Sequence, residues 1–118
     1  MSWKGSAMPK IKEISKYLPL SETTCYTMLC LAEEPLHGYA LMQKVSEISR
    51  GTVSLGAGTL YTIFSTLEKE ALIEMVSEAD RRKTYALTGK GRQVLALQIK
   101  RLEIMAENSR RIKKMIAD

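Results

Sequence analysis

Four hydroxyl side chains and one lysine recur at helical spacing in the middle of the chain: Thr59, Thr62, Ser65, Thr66 and Lys69. At about 100° per residue, a helix would place these side chains opposite its apolar ones. Small hydroxyl groups form hydrogen bonds in confined spaces, and a lysine ammonium group binds phosphate. Such a helix is suited to the major groove of duplex DNA, which admits one α-helix.

Tyr61 lies at the flank of this hydroxyl-rich face. Its ring could instead pack at the edge of the core. Because the helical phase turns Tyr61 away from the apolar stripe, the favoured interpretation is a contact with DNA.

Three further helices are predicted ahead of the hydroxyl-rich helix, which itself spans about 59–70. A short helix over 11–18 is interrupted by Pro19, because the residue before a proline is driven out of helical backbone angles. The next helix begins at Ser21, whose side chain can cap it, and ends at 33–35. The last of the three spans 38–48.

Apolar spacing predicts which faces of these helices form the core. In the helix over 38–48 the predicted buried stripe consists of Leu41, Val45 and Ile48. In the helix over 59–70 the predicted inward residues are Leu60, Ile63, Phe64, Leu67 and Ala71. Between the two helices the chain carries three glycines, which predict a turn with positive φ angles: Gly51, Gly56 and Gly58.

Alternating residues then predict a β-hairpin, with strands over 73–77 and 83–87 and a turn over 78–81. The returning arm carries three cations that could reach the DNA backbone or the minor groove: Arg81, Arg82 and Lys83. Glu78 and Asp80 lie beside them and would repel phosphate. The alternative to a DNA contact is therefore a solvated turn.

The chain is predicted to end in one long helix over 90–117, capped by Thr88. At 1.5 Å per residue it would measure about 40 Å and would extend beyond so small a domain. A second copy of the chain is the simplest cover for its apolar face, so we expect a homodimer. The predicted dimer contacts are Leu95, Ile99, Leu102, Met105, Ile112 and Ile116. Four cations near the end are expected to be a solvated helix terminus rather than a DNA site: Arg110, Arg111, Lys113 and Lys114.

With 118 residues, the chain is long enough for one domain. The formal net charge is +5 and is uneven along the chain. Residues 1–59 hold six Lys or Arg against five Asp or Glu, whereas residues 60–118 hold twelve against eight. A basic second half favours a polyanionic partner. There is no apolar run long enough to cross a bilayer and no signal peptide, so no membrane association and a cytoplasmic location are expected.

Neither a metal site nor catalytic chemistry is predicted. Cys25 and Cys30 are five residues apart, which matches no zinc or redox spacing, so they are expected to be buried reduced thiols. The single histidine, His37, stands at a helix start, where capping is favoured over a ligand or sensor role. No carboxylate pair, phosphate-binding glycine loop or nucleophile elbow occurs, so no enzyme and no cofactor are expected.

Together these elements predict a mainly α fold with a small β-hairpin: a winged helix-turn-helix followed by a long C-terminal dimerisation helix. The winged part is expected over 9–89 and the dimerisation helix over 90–118. Residues 1–8 are predicted to be an expression leader or a disordered N-terminus.

Four segments, in order, resemble the PadR family of transcriptional regulators. The "PLHGY" of residues 35–39 and the "GTLY" of residues 58–61 resemble the starts of that family's second and recognition helices. Leu72-Ile73 and the segment from Arg81 to Arg92 are similar to its wing and to the following "Y-x-L-T-x-x-G" helix start. The likeness covers about residues 18–97, and the short length resembles the branch with one C-terminal dimerisation helix.

The resemblance implies a homodimeric, DNA-binding repressor of transcription, sometimes responsive to a small hydrophobic effector. The chain departs from the family pattern at Ala57, where proline is frequent, and at Ala71, where glycine is frequent. No Phe, Tyr or Trp follows Tyr85, so a ligand held between aromatic rings of the last helix is not expected. The alternative function is a winged-helix module for protein interaction or small-molecule sensing without strong DNA binding.

Overall fold

The computed structural model describes residues 11–117. The predicted leader over 1–8 lies outside the described residues. The elements, in chain order, are α1 (Ile11–Ile14), a 3₁₀ turn (Ser15–Tyr17), α2 (Glu22–Glu33), β1 (Leu36–His37), α3 (Gly38–Ile48), α4 (Ala57–Lys69), β2 (Ile73–Ala79), β3 (Arg82–Leu87) and α5 (Gly89–Ile116). The chain is mainly helical with one small antiparallel sheet, as predicted.

Side-chain caps define where three of the helices begin. The Ser21 hydroxyl accepts a hydrogen bond from the Thr24 amide at 3.1 Å, and the Thr88 hydroxyl accepts one from the Gly91 amide at 3.0 Å. His37 caps α3 through Nδ1, which accepts from the Ala40 amide at 3.4 Å. The capping interpretation of His37 is therefore confirmed. Each cap satisfies an amide that has no partner within its own helix.

The core lies between α2, α3, α4, the sheet and the first half of α5. Met28, Leu41, Val45 and Val94 are fully buried there. The rings of Phe64 and Tyr85 pack with their centroids 4.6 Å apart and join α4 to the sheet. Contacts of this kind fix the inner face of α4 and leave its outer face in solvent.

Both cysteines are buried and free, as predicted. Burial raises the pKa of the Cys30 thiol to about 11, despite the opposing effect of the Lys44 ammonium group. Burial also raises the pKa of Cys25. Both thiols are consequently poor nucleophiles at neutral pH.

The sheet has three strands in the order β1-β3-β2, one more than predicted. The short strand β1 pairs with β3 through Leu36 opposite Tyr85 and His37 opposite Thr84. A bulge between Met75 and Ser77 interrupts the alternation along β2. The predicted turn over 78–81 contracts to two residues because Asp80 and Arg81 both have positive φ, the geometry of a tight hairpin turn.

Several details of the predicted helix faces are wrong. Ile48 is 43% exposed, and Ser49 turns inward in its place, its hydroxyl accepting from the Val53 amide at 3.1 Å. Ala71 is exposed and lies past the end of α4 with φ of 60°. Of the three glycines expected at positive φ, only Gly51 has one, at 77°. Gly56 is the N-cap residue of α4 and Gly58 is its second residue, because α4 starts at Ala57 rather than at Thr59.

Helix α5 has two halves with different surroundings. Its first half packs on the chain's own core through Val94, Leu95 and the buried polar residue Gln98. Gln98 is held there because its side-chain oxygen accepts from the Leu20 amide at 3.0 Å. Residues 101–117 are exposed throughout. Within 11–117, no helix combines the length and the apolar content that a bilayer crossing requires.

The burial of Leu95 corrects the predicted set of dimer contacts. Leu95 is only 4% exposed because it fills the core of its own chain, and Ile99 is half-buried against the same core. Leu95 is therefore not available to a second copy. Periodicity indicates that Leu95 belongs to an apolar stripe of α5 but does not show which surface covers that stripe.

Candidate nucleic-acid interface

The outer face of α4 is accessible along its full length. All six residues predicted there are exposed: Thr59, Tyr61, Thr62, Ser65, Thr66 and Lys69. Tyr61 is 74% exposed, so the interpretation of its ring as part of the core edge is wrong. The opposite face is anchored by Leu60, Ile63, Phe64 and Leu67, which are buried.

One hydroxyl group on this face already has an intramolecular hydrogen bond. The Thr62 hydroxyl donates to the Gly58 carbonyl at 3.2 Å, so its proton is already engaged and its oxygen is left to accept. The exposed side chain of Lys69 adds an ammonium donor at the end of the helix. The face therefore presents both acceptors and donors, as the edges of base pairs require.

The hairpin of β2 and β3, which we call the wing, lies beside one flank of α4. The wing and α4 border a cleft of about 460 Å³. Its floor includes the buried rings of Phe64 and Tyr85. On the α4 side the cleft is lined by Tyr61, Ser65 and Glu68, and on the wing side by Arg81 and Lys83. Two of the three predicted wing cations are therefore brought next to the predicted helix contacts.

Arg82 is separated from the other two wing cations. Side chains along a strand alternate between faces, so Lys83 and Tyr85 share the face toward α4 while Arg82 points to the other side. Arg82 is exposed and does not line the cleft. The alternation along the strand already indicates that Arg82 and Lys83 lie on opposite faces, although the sequence does not show which face is turned toward α4.

Acidic residues limit the positive charge of this surface. Glu68 lines the cleft, and Glu78 lies opposite Lys83 in the strand pairing. Burial, followed by the nearby Glu68 carboxylate, raises the pKa of Tyr85 above its usual value. The cleft consequently combines two cations, one carboxylate and several hydroxyl groups rather than a uniform basic patch.

Tyr39 is a candidate contact that the sequence analysis missed. It is 61% exposed at the start of α3 and lines the same cleft. Gln43 donates to the Tyr39 hydroxyl oxygen at 3.1 Å, which orients the phenol and leaves its proton free for an acceptor such as phosphate. Helical phase could have found it, because Tyr39 is about 160° away from Leu41 on the helix circumference.

A second exposed surface follows the outer half of α5. Of the predicted dimer contacts, Leu102, Met105, Ile112 and Ile116 are exposed on one stripe, with Met105 63% and Ile116 75% exposed. The stripe continues the buried one of the first half. Near Leu102 and Met105 it meets a groove of about 380 Å³ whose wall on α2 includes Cys25, Tyr26 and Leu29.

Metal-binding clusters are absent from this part of the chain. Across residues 11–117, no three His, Cys, Asp or Glu side chains come close enough to hold a metal ion.

Comparison with known proteins assigns this arrangement to a family. Residues 28–97 match the Transcriptional regulator PadR-like family. This chain belongs to the PadR-like family. The match covers more than half of the chain and includes both helices of the helix-turn-helix, the wing and the first part of α5. The family is one of transcriptional regulators, so the matched part of this chain is a regulator domain rather than a catalytic one.

Individual relatives agree with the family assignment. The PadR-like chain is 31% identical over 74 residues to protein X of Lysinibacillus sphaericus, covering 59% of this chain and 68% of that protein. It is 27% identical over 77 residues to the transcriptional regulator YqjI of Escherichia coli, covering 65% of this chain and 37% of YqjI. A further match, 38% identical over 69 residues, is an uncharacterized 37.1 kDa transposon protein of Streptomyces fradiae, covering 58% of this chain and 19% of that protein. The chain thus spans only a minor part of two of these relatives.

Solved structures share the fold. A PadR-like transcription factor from Bacteroides fragilis has a TM-score of 0.66 at 25% identity, covering 85% of this chain and 98% of that one. A PadR family transcription regulator from Clostridium difficile has a TM-score of 0.69 at 21% identity, covering 78% of this chain and 98% of that one. The winged helix-turn-helix with a long final helix is therefore the fold of this PadR-like regulator.

Proposed function

We propose that this PadR-like regulator binds duplex DNA sequence-specifically as a homodimer and represses transcription by occupying promoter DNA. The observation that supports this proposal is the cleft between α4 and the wing, where exposed hydroxyl groups and two cations face the same space. A mixture of neutral hydrogen-bonding groups and a few cations favours reading of base edges together with phosphate contact.

In the proposed complex α4 lies in the major groove with Thr59, Thr62, Ser65 and Thr66 toward the base edges. Lys69 and the wing residues Arg81 and Lys83 contact phosphates. Tyr61 on α4 and Tyr39 on α3 both line the cleft and donate their phenol protons to phosphates of the DNA backbone. Arg82, on the other face of the wing, is assigned a minor electrostatic part.

The homodimer is proposed to form through the outer half of α5. Leu102, Met105, Ile112 and Ile116 leave an apolar stripe in solvent, and a second copy of the same stripe would cover it. Large contiguous apolar patches are unusual on the surface of monomeric proteins. Two recognition helices related by the dimer axis would then lie about 34–36 Å apart for half-sites on one face of the duplex.

Fluorescence anisotropy with the protein's own upstream promoter DNA and a scrambled duplex, each over a series of salt concentrations, tests this proposal. We expect tight promoter binding and much weaker scrambled binding. Replacing Lys83 with Ala should weaken binding and lower the slope of log K against log salt by about one, because one phosphate contact is lost. Arg82→Ala is the matched control and should change the slope by less, because its side chain points away from the cleft.

The alternative is a winged-helix module for protein interaction or small-molecule sensing. It predicts no promoter binding at physiological salt. Equal, weak and steeply salt-dependent binding to both duplexes would show only phosphate attraction and would contradict sequence-specific recognition. Equal slopes for Lys83→Ala and Arg82→Ala would contradict the assignment of phosphate contact to the cleft.

A further inference from the structure

The first turn of α5 carries charges of the wrong sign for its own helix. It contains Lys90 and Arg92 and no acidic residue. The N-terminus of a helix is the positive end of its dipole, so cations there are unfavourable. These two side chains therefore do not stabilise the start of α5, and their contacts lie elsewhere.

Each of the two cations reaches the C-terminal end of a different helix. The Lys90 ammonium group donates to the Glu70 carbonyl at 2.9 Å, directly after the last residue of α4. The Arg92 guanidinium group donates to the Ala32 carbonyl at 3.4 Å, in the last turn of α2. C-terminal carbonyls have no partner within their helix and carry the negative end of the dipole, so a cation is favourable there.

Three consecutive carbonyls after α4 are held by the start of α5. Besides the bond from Lys90 to Glu70, the Thr88 hydroxyl donates to the Ala71 carbonyl at 2.7 Å and the Thr88 amide donates to the Leu72 carbonyl at 3.1 Å. A Cβ built on Gly91 would overlap the Leu72 carbonyl oxygen, so only glycine permits this approach. The segment that directly follows α4 is thus joined to the start of α5 by three hydrogen bonds.

Tyr17 adds a contact from the N-terminal segment. Its hydroxyl donates to the Glu70 carboxylate at 3.0 Å, and the Lys90 ammonium group lies 5.0 Å from the centre of its ring. Lys90 consequently lies between the phenol ring and the Glu70 carbonyl. This second set of contacts restricts the Lys90 side chain to one position.

We propose that Lys90, supported by Tyr17 and Thr88, is a positioning residue that fixes the angle between the recognition helix α4 and the helix α5. We call this group the α4–α5 clasp. Because α5 carries the proposed dimer surface, the clasp also sets the separation of the two recognition helices in the dimer. This last consequence rests on the proposed function, whereas the angle within one chain does not.

The relation between α4 and α5 can be followed within one chain as the distance between two spin labels, measured by pulsed electron spin resonance. Spin labels are attached at Lys69→Cys on α4 and Lys100→Cys on α5, both exposed, and labelled chains are diluted with excess unlabelled chain. The buried native thiols react slowly because burial raises the pKa of Cys30 to about 11 and also raises that of Cys25. The protein without added cysteines serves as the labelling control.

In the labelled protein, Lys90→Met removes the ammonium donor and keeps most of the side-chain length. We expect the distance distribution between the two labels to become broader or to shift, and Lys90→Arg to restore it at least in part. Lys114→Met removes the same charge from an exposed position of the same helix and should leave the distribution unchanged. A role in stability alone would lower the melting temperature of Lys90→Met without altering the distribution.

An unaltered distribution in folded Lys90→Met overturns the clasp. If Lys90→Met does not fold, Tyr17→Phe decides, because it removes only the hydroxyl that holds the Glu70 carboxylate. A broadened or shifted distribution in Tyr17→Phe supports the proposal, and an unaltered one overturns it.

A second measurement relates the clasp to DNA. On promoter duplexes with altered half-site spacing, the parent should prefer one spacing. Lys90→Met should bind that duplex about three- to tenfold more weakly, with a flatter dependence on spacing, a range equivalent to the loss of one ordinary hydrogen bond. If the parent binds no duplex, the proposed function fails, while the spin-label distances still test the clasp. If Lys90→Met keeps the parent's spacing preference, the link from the clasp to the dimer is wrong.

Discussion

Two surfaces of this PadR-like regulator are exposed to a similar extent but differ in chemistry. The outer face of α4 and the adjoining cleft carry hydroxyl groups, two tyrosines and cations. The outer half of α5 carries an apolar stripe that includes Met105 and Ile116, flanked by charged residues. A hydroxyl-rich face loses little by remaining in water, whereas an apolar stripe is unfavourable there.

The difference shows why exposure alone does not identify a binding surface. Polar groups on α4 favour a partner that supplies hydrogen-bonding edges and phosphates, and the apolar stripe favours a partner that excludes water. The same chain can meet both requirements because the α4–α5 clasp separates the two surfaces while holding them in a fixed relation. A substitution on the hydroxyl-rich face should therefore leave dimerisation unchanged, whereas one on the apolar stripe should weaken DNA binding only through loss of the dimer.

The largest effect is expected from a negative charge on the hydroxyl-rich face. Ser65→Glu places a carboxylate among the proposed phosphate and base contacts, where repulsion of several kcal/mol corresponds to at least about a hundredfold loss of DNA affinity. Anisotropy measures this loss, and sedimentation should show an unchanged oligomeric state. Ala96→Glu, an exposed and equally neutral starting position on α5, is the control. Undiminished binding by Ser65→Glu would sink the proposed groove face.

A smaller effect is expected from the same charge on the apolar stripe. Met105→Glu would place a carboxylate in the proposed dimer contact and should weaken dimerisation about tenfold or more. In the single chain Met105 is 63% exposed, so the free energy of unfolding of the monomer should change little. Sedimentation equilibrium at micromolar concentration measures the shift toward the 13.3 kDa monomer. The parent sedimenting only as a monomer, or Met105→Glu behaving like Ala96→Glu, would refute the assignment of this surface.

The smallest effect is expected from a substitution at Ala71, in the segment that follows α4. Ala71 has φ of 60°, a left-handed conformation that costs an alanine about 1–2 kcal/mol and a glycine almost nothing. Part of the gain is offset by the larger entropy of an unfolded chain with glycine, so Ala71→Gly should raise the free energy of unfolding by about 0.5–1 kcal/mol. Thermal unfolding should show a melting temperature about 2–6 °C higher, with DNA binding and oligomeric state unchanged. A lower melting temperature would show that the conformation of this turn is not strained in solution.

Local signals in the sequence predicted much of the fold correctly. Ser21, His37 and Thr88 can be predicted as caps because each is a polar residue directly before a segment with helical apolar spacing. The inward face of α4 followed from residues repeating every three or four positions. The exposed face opposite them was predicted for the same reason, and all six of its residues are exposed.

Features that depend on distant parts of the chain were missed. Strand β1 has two residues, and its partner Tyr85 lies far along the sequence, so no local pattern indicates the pairing. Leu95 was assigned to the dimer because periodicity gives a stripe but not its cover. Helical phase indicates that Tyr39 faces away from the core, but its place beside the wing cations exists only once α3, α4 and the wing are packed together.

The sequence by itself determined the order of the long helices and the two hairpin strands, most of the helix faces and the resemblance to the PadR family, because these depend on the spacing of neighbouring residues. Only the tertiary structure decided that Arg81 and Lys83 line one cleft together with Tyr61 of α4. It also decided which half of α5 the chain covers by itself, and that Lys90 binds the carbonyl end of another helix. Such features arise from contacts between segments distant in sequence, which the spacing of neighbours does not encode.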